Sequence, residues 1–294
     1  MLGSQPTPLI RLGGLFPRDE VYARCEFLGA SGSFKIRGAA HLLRHLIQAD
    51  GPRSLVVPSM GNTALGAAAA ARELGFGMTA VVPVGISRAK DEKLRALGVE
   101  VHKVDGGGSD LLLRADKLAR QRGAYFVHPH LDPLWTDGYQ SIAAELLAQL
   151  PACRAIVFPL GGGGLLMGLA AFLRNNPAPV RLIACEPYNY PKYARFTHPR
   201  SPTIADGLIL ELPHPAVQQV IAEAGVEVGL VPEEEIRAAL AALYDTQGLV
   251  VEPSSAVPLA FIRARGSELP QPVCVLLTGE NVTREDHRRL ISRE

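Results

Sequence analysis

Lysine is scarce in this chain: of 30 basic residues only six are lysine, at positions 35, 90, 93, 103, 117 and 192, and the rest are arginine. Cysteine is scarcer, with four in 294 residues and no CxxC pair. That removes a disulfide-stapled scaffold and the common thiolate metal spacings. Cys153 and Cys274 fall in or beside strand-like runs, where a buried inert thiol is expected, and a reducing cytoplasmic setting follows. Charge of one sign does not accumulate either. The formal net charge is +1, so nothing favours nucleic acid or an anionic membrane as partner. No apolar run approaches the roughly 20 residues of a membrane span. The start, MLGSQPTPLIRLGG, lacks a basic head followed by an apolar stretch, so no secretory signal is expected.

What is present points to a globular α/β chain. Hydrophobic residues make up 47%, enough to build a core and too many for a disordered segment. β-Branched runs at 54–58, 78–83, 99–104, 124–128, 155–160, 180–186 and 273–278 read as strands. Helical stretches at 62–75, 87–97 and 109–122 separate some of them, each opened by a residue able to cap a helix (Asn62, Ser87, Ser109). Near-continuous apolar strands alternating with helices predict parallel sheets covered on both faces. Seven strands plus a long N-terminal segment predict two such sheets. The stretch 187–203, rich in Pro, Tyr and basic residues, reads as a loop.

Ligands of open α/β sheets sit beyond the C-terminal strand ends, and three turns there are unusual. FPLGGGGLLMG (158–168) runs strand, four glycines, helix. Bare backbone N–H groups at a helix start form an anion cup, although no Lys-Ser/Thr follows as in a P-loop. SMGNTALG (59–66) would present Ser59, Asn62 and Thr63 at a helix start, where they could hold a carboxylate or phenolate oxygen. A plain helix cap by Asn62 is the alternative. VCVLLTGEN (273–281) ends a strand on Thr278 and Gly279. Then there is SGSFKIRG (31–38), one of the few lysines among small and apolar neighbours. Arginine stays charged, whereas a lysine amine can lose its proton and act as nucleophile or base. An amine, an anion cup, an oxyanion-binding turn and a strand-end hydroxyl together suit an aldehyde cofactor carrying a phosphate.

Here SGSFKIRGA, SMGNTALG, PLGGGGLLMG, TIADGL (203–208) and VVEPSSAV (250–257), in that order, resemble the motifs of the fold type II (tryptophan synthase β-like) pyridoxal-phosphate enzymes. The threonine/serine dehydratase and serine racemase group is the most similar branch. The resemblance runs from about Thr7 to about Thr283. It implies two parallel-sheet, three-layer αβα domains with pyridoxal 5'-phosphate in the cleft between them. A large cofactor domain would comprise 1–38 and 132–294, and a small domain, 39–131, would be inserted in it. Lys35 would form the Schiff base and act as base, with Phe34 beside the ring and Asn62 on the ring oxygen. Backbone N–H groups of Gly161, Gly162, Gly163, Gly164 and Leu165 would hold the phosphate, and Thr278 the ring nitrogen. Ser59, Asn62 and Thr63 would receive the substrate carboxylate. The implied activity removes water and ammonia from L-threonine or L-serine to give a 2-oxo acid. A threonine synthase-like or cysteine synthase-like replacement is the alternative, because Thr63, EPSSA and LTGEN lean that way.

Departures from the pattern sharpen the expectation. Racemases of the group carry a serine where this chain has Met60, and a thioether moves no proton, so racemisation is expected to be negligible. Where some relatives bind a divalent metal through a Glu and an Asp six residues on, this chain has Glu186 and Lys192, and no metal site is expected. Glu252 is a second-tier site residue. His41 and His45 read as a helix face, and HPH (128–130) as a turn. A small-molecule amino acid is the expected partner, a homodimer the family tendency, and a C-terminal regulatory domain is not expected.

Overall fold

A computed structural model describes residues 6–59, 61–86, 88–194, 198–209 and 213–292. The chain divides into two compact units, one built of Gly29–Ser141 and the other of Thr7–Leu28 with Ile142–Glu294. These bounds differ from 39 and 131 because the first helix runs unbroken through Gly38 and belongs with the unit that follows it.

Numbered along the chain, strands β1 (Leu9–Arg11) and β2 (Val21–Cys25) form an antiparallel pair. The first unit follows with α1 (Lys35–Gln48), β3 (Ser54–Pro58), α2 (Asn62–Leu74), β4 (Gly77–Pro83), α3 (Arg88–Ala96), β5 (Glu100–Val104), α4 (Gly108–Arg122), β6 (Tyr125–Phe126) and α5 (Pro133–Asp137). Helix α6 (Gln140–Gln149) leads into β7 (Ala155–Pro159), α7 (Gly164–Asn175), β8 (Arg181–Pro187), α8 (Pro215–Glu223), β9 (Glu227–Val231), α9 (Glu233–Gln247), α10 (Pro253–Arg265), β10 (Val273–Leu277) and α11 (Arg284–Ile291). Every strand expected from the sequence is present. β1, β2 and β9 were not expected; each is short or bears alternating polar residues.

The first unit holds a four-stranded parallel sheet in the order β5-β4-β3-β6. Because side chains alternate along a strand, Val56 and Val81 face one way and pack on Leu111, Ala115, Leu118 and Ala119 of α4. Leu55, Val57, Ala80 and Val82 face the other way and are equally buried, with α2 packed against β3 and β4. Helix α1 lies along α2 and also meets α5.

The second unit holds a six-stranded sheet in the order β1-β2-β10-β7-β8-β9, parallel except for β1. Ala23, Val157, Ile183 and Val275 pack with α9 and α10 in one core. The opposite face buries Ile156, Phe158, Ala184 and Leu276. Arg24, fully buried, donates from Nε to Glu26 at 2.9 Å, from Nη1 to Gln149 Oε1 at 2.7 Å, and from Nη2 to Glu145. It thereby fixes α6 to β2, and a buried guanidinium is tolerated only with such a full set of acceptors.

Candidate active site

In the first unit the lysine stands at the head of a helix. Ser31 Oγ donates to Ser33 O at 3.1 Å, tightening the turn that ends in Phe34, the N-cap of α1. Lys35 is the first helical residue, and its Nζ lies 4.7 Å from the Phe34 ring centre and 5.8 Å from that of Tyr139. Those two rings are 4.8 Å apart. Tyr139 is fully buried, its hydroxyl accepts a hydrogen bond from Trp135 Nε1, and burial raises its pKa. Behind Lys35 runs Gly66 of α2. A Cβ at position 66 would sit 2.8 Å from the Lys35 carbonyl carbon and 2.8 Å from its Cβ. The two helices meet backbone to backbone there, which a larger residue would prevent.

The turn after β3 is organised by Ser59. Its Oγ accepts the N–H of Gly61 and that of Ala64, each at 3.2 Å. The capping oxygen of α2 is therefore that of Ser59, and Gly61, not Asn62, is the N-cap. The capping role weighed for Asn62 thus falls to Ser59. With both lone pairs engaged, Ser59 keeps its own proton to donate. Asn62 and Thr63 form the first turn of α2, Asn62 half-buried and Thr63 buried. Met60 and Ser87, named above from the sequence, lie outside the described residues. The turn after β6 is local: His128 Nδ1 accepts the N–H groups of His130 and Leu131.

In the second unit the glycine run does join β7 to α7. Gly163, the N-cap of α7, has φ +90, and a Cβ there would also sit 2.4 Å from Val217 Cγ2. Only glycine fits on both counts. Gly164 and Leu165 open α7, so bare N–H groups and the positive end of a twelve-residue helix converge here. Gly161 packs against Gly207 and Leu208, and Gly207 in turn packs against Ser254 Oγ. Thr278 follows β10 and is buried, and Ser255 of α10 holds the turn. Ser255 Oγ accepts the N–H of Thr278 at 3.1 Å and that of Gly279 at 2.8 Å. It lies 2.9 Å from Gly279 O and 3.2 Å from Thr278 Oγ1. Glu252, the N-cap of α10, donates its backbone N–H to Gly279 O at 3.0 Å, and its carboxylate packs over Gly279.

Glu186, at the end of β8, is fully buried. Its carboxylate accepts the backbone N–H groups of Lys192, Tyr193 and Ala194, and Lys192 Nζ lies 3.1 Å from Oε1. Burial lowers the pKa of Lys192 while Glu186 pulls it back up. The Lys192 amine thus stands beside Glu186, with its pKa lowered by burial, where the sequence resemblance raised a metal. Among the described residues no group of three or more His, Cys, Asp or Glu is arranged to hold one. All four cysteines are free and buried.

The family model described as pyridoxal-phosphate dependent enzyme matches residues 1–279. The chain belongs to that family. This pyridoxal-phosphate enzyme is 34% identical over 270 residues to the L-threonine ammonia-lyase of Geobacter sulfurreducens, covering 89% of the chain and 67% of the relative. Its fold matches threonine deaminase isoform 2 of Solanum lycopersicum with a TM-score of 0.88 at 26% identity, over 97% of this chain and 82% of that one. It also matches a fungal L-serine ammonia-lyase from Rhizomucor miehei, with a TM-score of 0.85 at 25% identity over 97% of both chains. Both sheets have the architecture of the tryptophan synthase β-like enzymes.

The residues present fit the cofactor. The backbone at 161–164 has no side chain in the way of a phosphate, and Gly163 could not be anything else. Ser33 and Ser254, both buried, carry hydroxyls with no hydrogen-bond partner among the described residues, and a buried polar group left so calls for a ligand. Sequence reasoning missed Ser255, Gly66 and Tyr139. Ser255 had a visible signal, since its small polar residue opens a helix inside a quoted motif. Gly66 also closes a quoted motif, SMGNTALG, but its role, like that of Tyr139, arises only when helices meet.

Proposed function

We propose that this pyridoxal-phosphate enzyme is an ammonia-lyase that converts L-threonine and L-serine to the 2-oxo acid and ammonia. What supports this most is the position of Lys35 at the head of α1, between the Phe34 ring and Gly66, together with the names of the relatives. When bound, the cofactor supplies an aldehyde that engages amines and a ring that draws electrons from the substrate α-carbon. Lys35 Nζ would hold that aldehyde, and its free amine would serve as general base toward the substrate α-proton. Backbone N–H groups of Gly161 to Gly164 and Leu165 hold the phosphate, Asn62 the ring oxygen and Thr278 the ring nitrogen. Phe34 flanks the ring. Ser59, with its proton free to donate, receives the substrate carboxylate with Asn62 and Thr63. Lys192 neutralises Glu186 without a divalent cation.

No helix of the described residues is long and apolar enough to cross a membrane. Four unbridged cysteines suit the cytoplasm, and a homodimer is the proposed assembly. The test is a panel of L-threonine, L-serine, threo-3-hydroxyaspartate, O-acetylserine and O-phosphohomoserine given to the reconstituted enzyme, each with and without an added thiol as sulfur nucleophile. Keto acid and ammonia from the first two are expected. Thioether formation or phosphate release without keto acid would replace the lyase with a β- or γ-replacement enzyme.

A further inference from the structure

The head of α1 is an awkward place for a positive charge. Lys35 is the first residue of a fourteen-residue helix, where unpaired N–H groups carry positive potential that disfavours a cation. What lies around its Nζ works the other way. The Phe34 and Tyr139 ring centres are 4.7 and 5.8 Å from it, both within reach of a cation–π contact. The two rings are tilted by 48° to each other. Burial raises the pKa of Tyr139, so the amine meets a neutral ring and not a phenolate.

Phe34 is the sequence neighbour of Lys35, but Tyr139 is brought there by the fold, and its ring is locked. Tyr139 is fully buried, and its hydroxyl accepts from Nε1 of Trp135, itself fully buried. Asp132 Oδ1 accepts the Trp135 N–H at 3.1 Å. The segment then lies tight against α1. A Cβ at Gly38 would sit 2.7 Å from Trp135 Nε1, and one at Gly138 would sit 2.6 Å from Arg37 O. The Tyr139 ring cannot swing away from Lys35 without unpacking these contacts.

We propose that Tyr139 is a positioning residue whose ring, with that of Phe34, seats the Lys35 amine when the cofactor does not engage it and stabilises its protonated form. The proposal rests on the reading above in which Lys35 is both anchor and base. A lysine side chain that is let go gains rotamer freedom, and the seat limits that drift. Accepting the α-proton turns the neutral amine into an ammonium, the C–H electron pair staying with the substrate. Two ring faces stabilise that charge where the helix head opposes it. Tyr139 thus acts through Lys35 without touching substrate.

The test reads the amine directly. The full-length enzyme without cofactor is reductively methylated with ¹³C-formaldehyde, and the Lys35 signal is identified by its loss in Lys35→Arg. Ring currents should place its methyl signals upfield of those of the exposed lysines. In Tyr139→Leu that displacement should shrink. In the reconstituted enzyme kcat should fall about 10-fold with KM little changed, the size of one cation–π contact out of water. Tyr139→Phe keeps the ring but leaves the buried Trp135 Nε1–H without its acceptor, so it should melt earlier yet retain both the shift and kcat. A purely structural tyrosine would instead make activity follow melting temperature in both variants, and that result overturns the proposal. So does a wild-type Lys35 signal at the exposed-lysine position, which needs no Tyr139 variant to fold. If the reconstituted wild type makes no keto acid, the functional reading fails, while the methyl shifts of the cofactor-free proteins still decide whether the ring seats the amine.

Discussion

In the first unit the groups that would meet a ligand are side chains at helix heads, Lys35 on α1 and Asn62 with Thr63 on α2, with Ser59 in the turn just before α2. In the second unit they are mostly peptide groups, the N–H row of the glycine loop, with the hydroxyls of Ser254 and Thr278. A side chain can be removed while the fold survives, whereas a peptide N–H can be redirected only by changing the backbone that carries it. Damage to the first unit should therefore separate activity from stability, and damage to the second should couple them.

The largest effect belongs to Lys35→Ala. Loss of both anchor and base should cut ammonia release by at least about 10³-fold and abolish the visible absorbance near the imine band. The melting temperature of the cofactor-free protein should hardly move. Retained absorbance and turnover would break the comparison at its root. Gly66→Ala comes next. Its new Cβ would meet the Lys35 backbone at 2.8 Å, and a displacement of about 1 Å at a catalytic group can cost on the order of 10²-fold in rate. Cofactor binding should fall far less than kcat, a split that rapid turnover assays and cofactor titration can read together. In the second unit, Gly163→Ala should do the opposite. Strain at φ +90 and contact with Val217 should destabilise the protein by about 1–3 kcal/mol, and urea unfolding and cofactor affinity should worsen in parallel. A Gly163→Ala protein of normal stability that merely turned over slowly would dissolve the distinction.

How far the sequence revealed this site follows the same division. The glycine loop was legible because four consecutive glycines between a strand and a helix have few other uses, and the lysine because its type is so rare in this chain. Strands such as β3, β4 and β7 were legible from unbroken apolar runs buried on both faces. What escaped is what depends on contact. Ser59, not Asn62, caps α2, since its oxygen reaches forward to two N–H groups. The small unit begins before residue 39, because α1 is continuous and packs on α2 and α5. β9 opens on Glu227, which pairs with Arg181 and Arg265 across the surface, so its sequence lacks the apolar run that marked its neighbours. Gly66 and Ser255 are small residues whose importance lies wholly in what approaches them.

The smallest effect, and the finest test of the comparison, is alkaline stability. Every cysteine lies in the second unit, and burial raises their thiol pKa from the ordinary 9.0, to about 11 for Cys153 and about 12 for Cys25. A raised pKa means the folded protein keeps a proton that the unfolded chain has lost. The stabilisation is full below pH 9 and drains away as pH rises through the folded values, by up to about 1.4 kcal/mol per pH unit for each thiol. In the first unit the corresponding groups are Tyr125, raised by burial and by Asp132 from 10.0 to about 12, and Tyr139, raised by burial from the same 10.0, so the loss there starts one unit later. The sole tryptophan, Trp135, reports on the first unit. As pH is raised, alkylation of the buried cysteines by iodoacetamide should therefore begin before Trp135 fluorescence shifts. Cys25→Ala should flatten part of the early loss. Fluorescence change that precedes cysteine labelling would mean the first unit opens first, and the thiols are not what limits the protein in alkali.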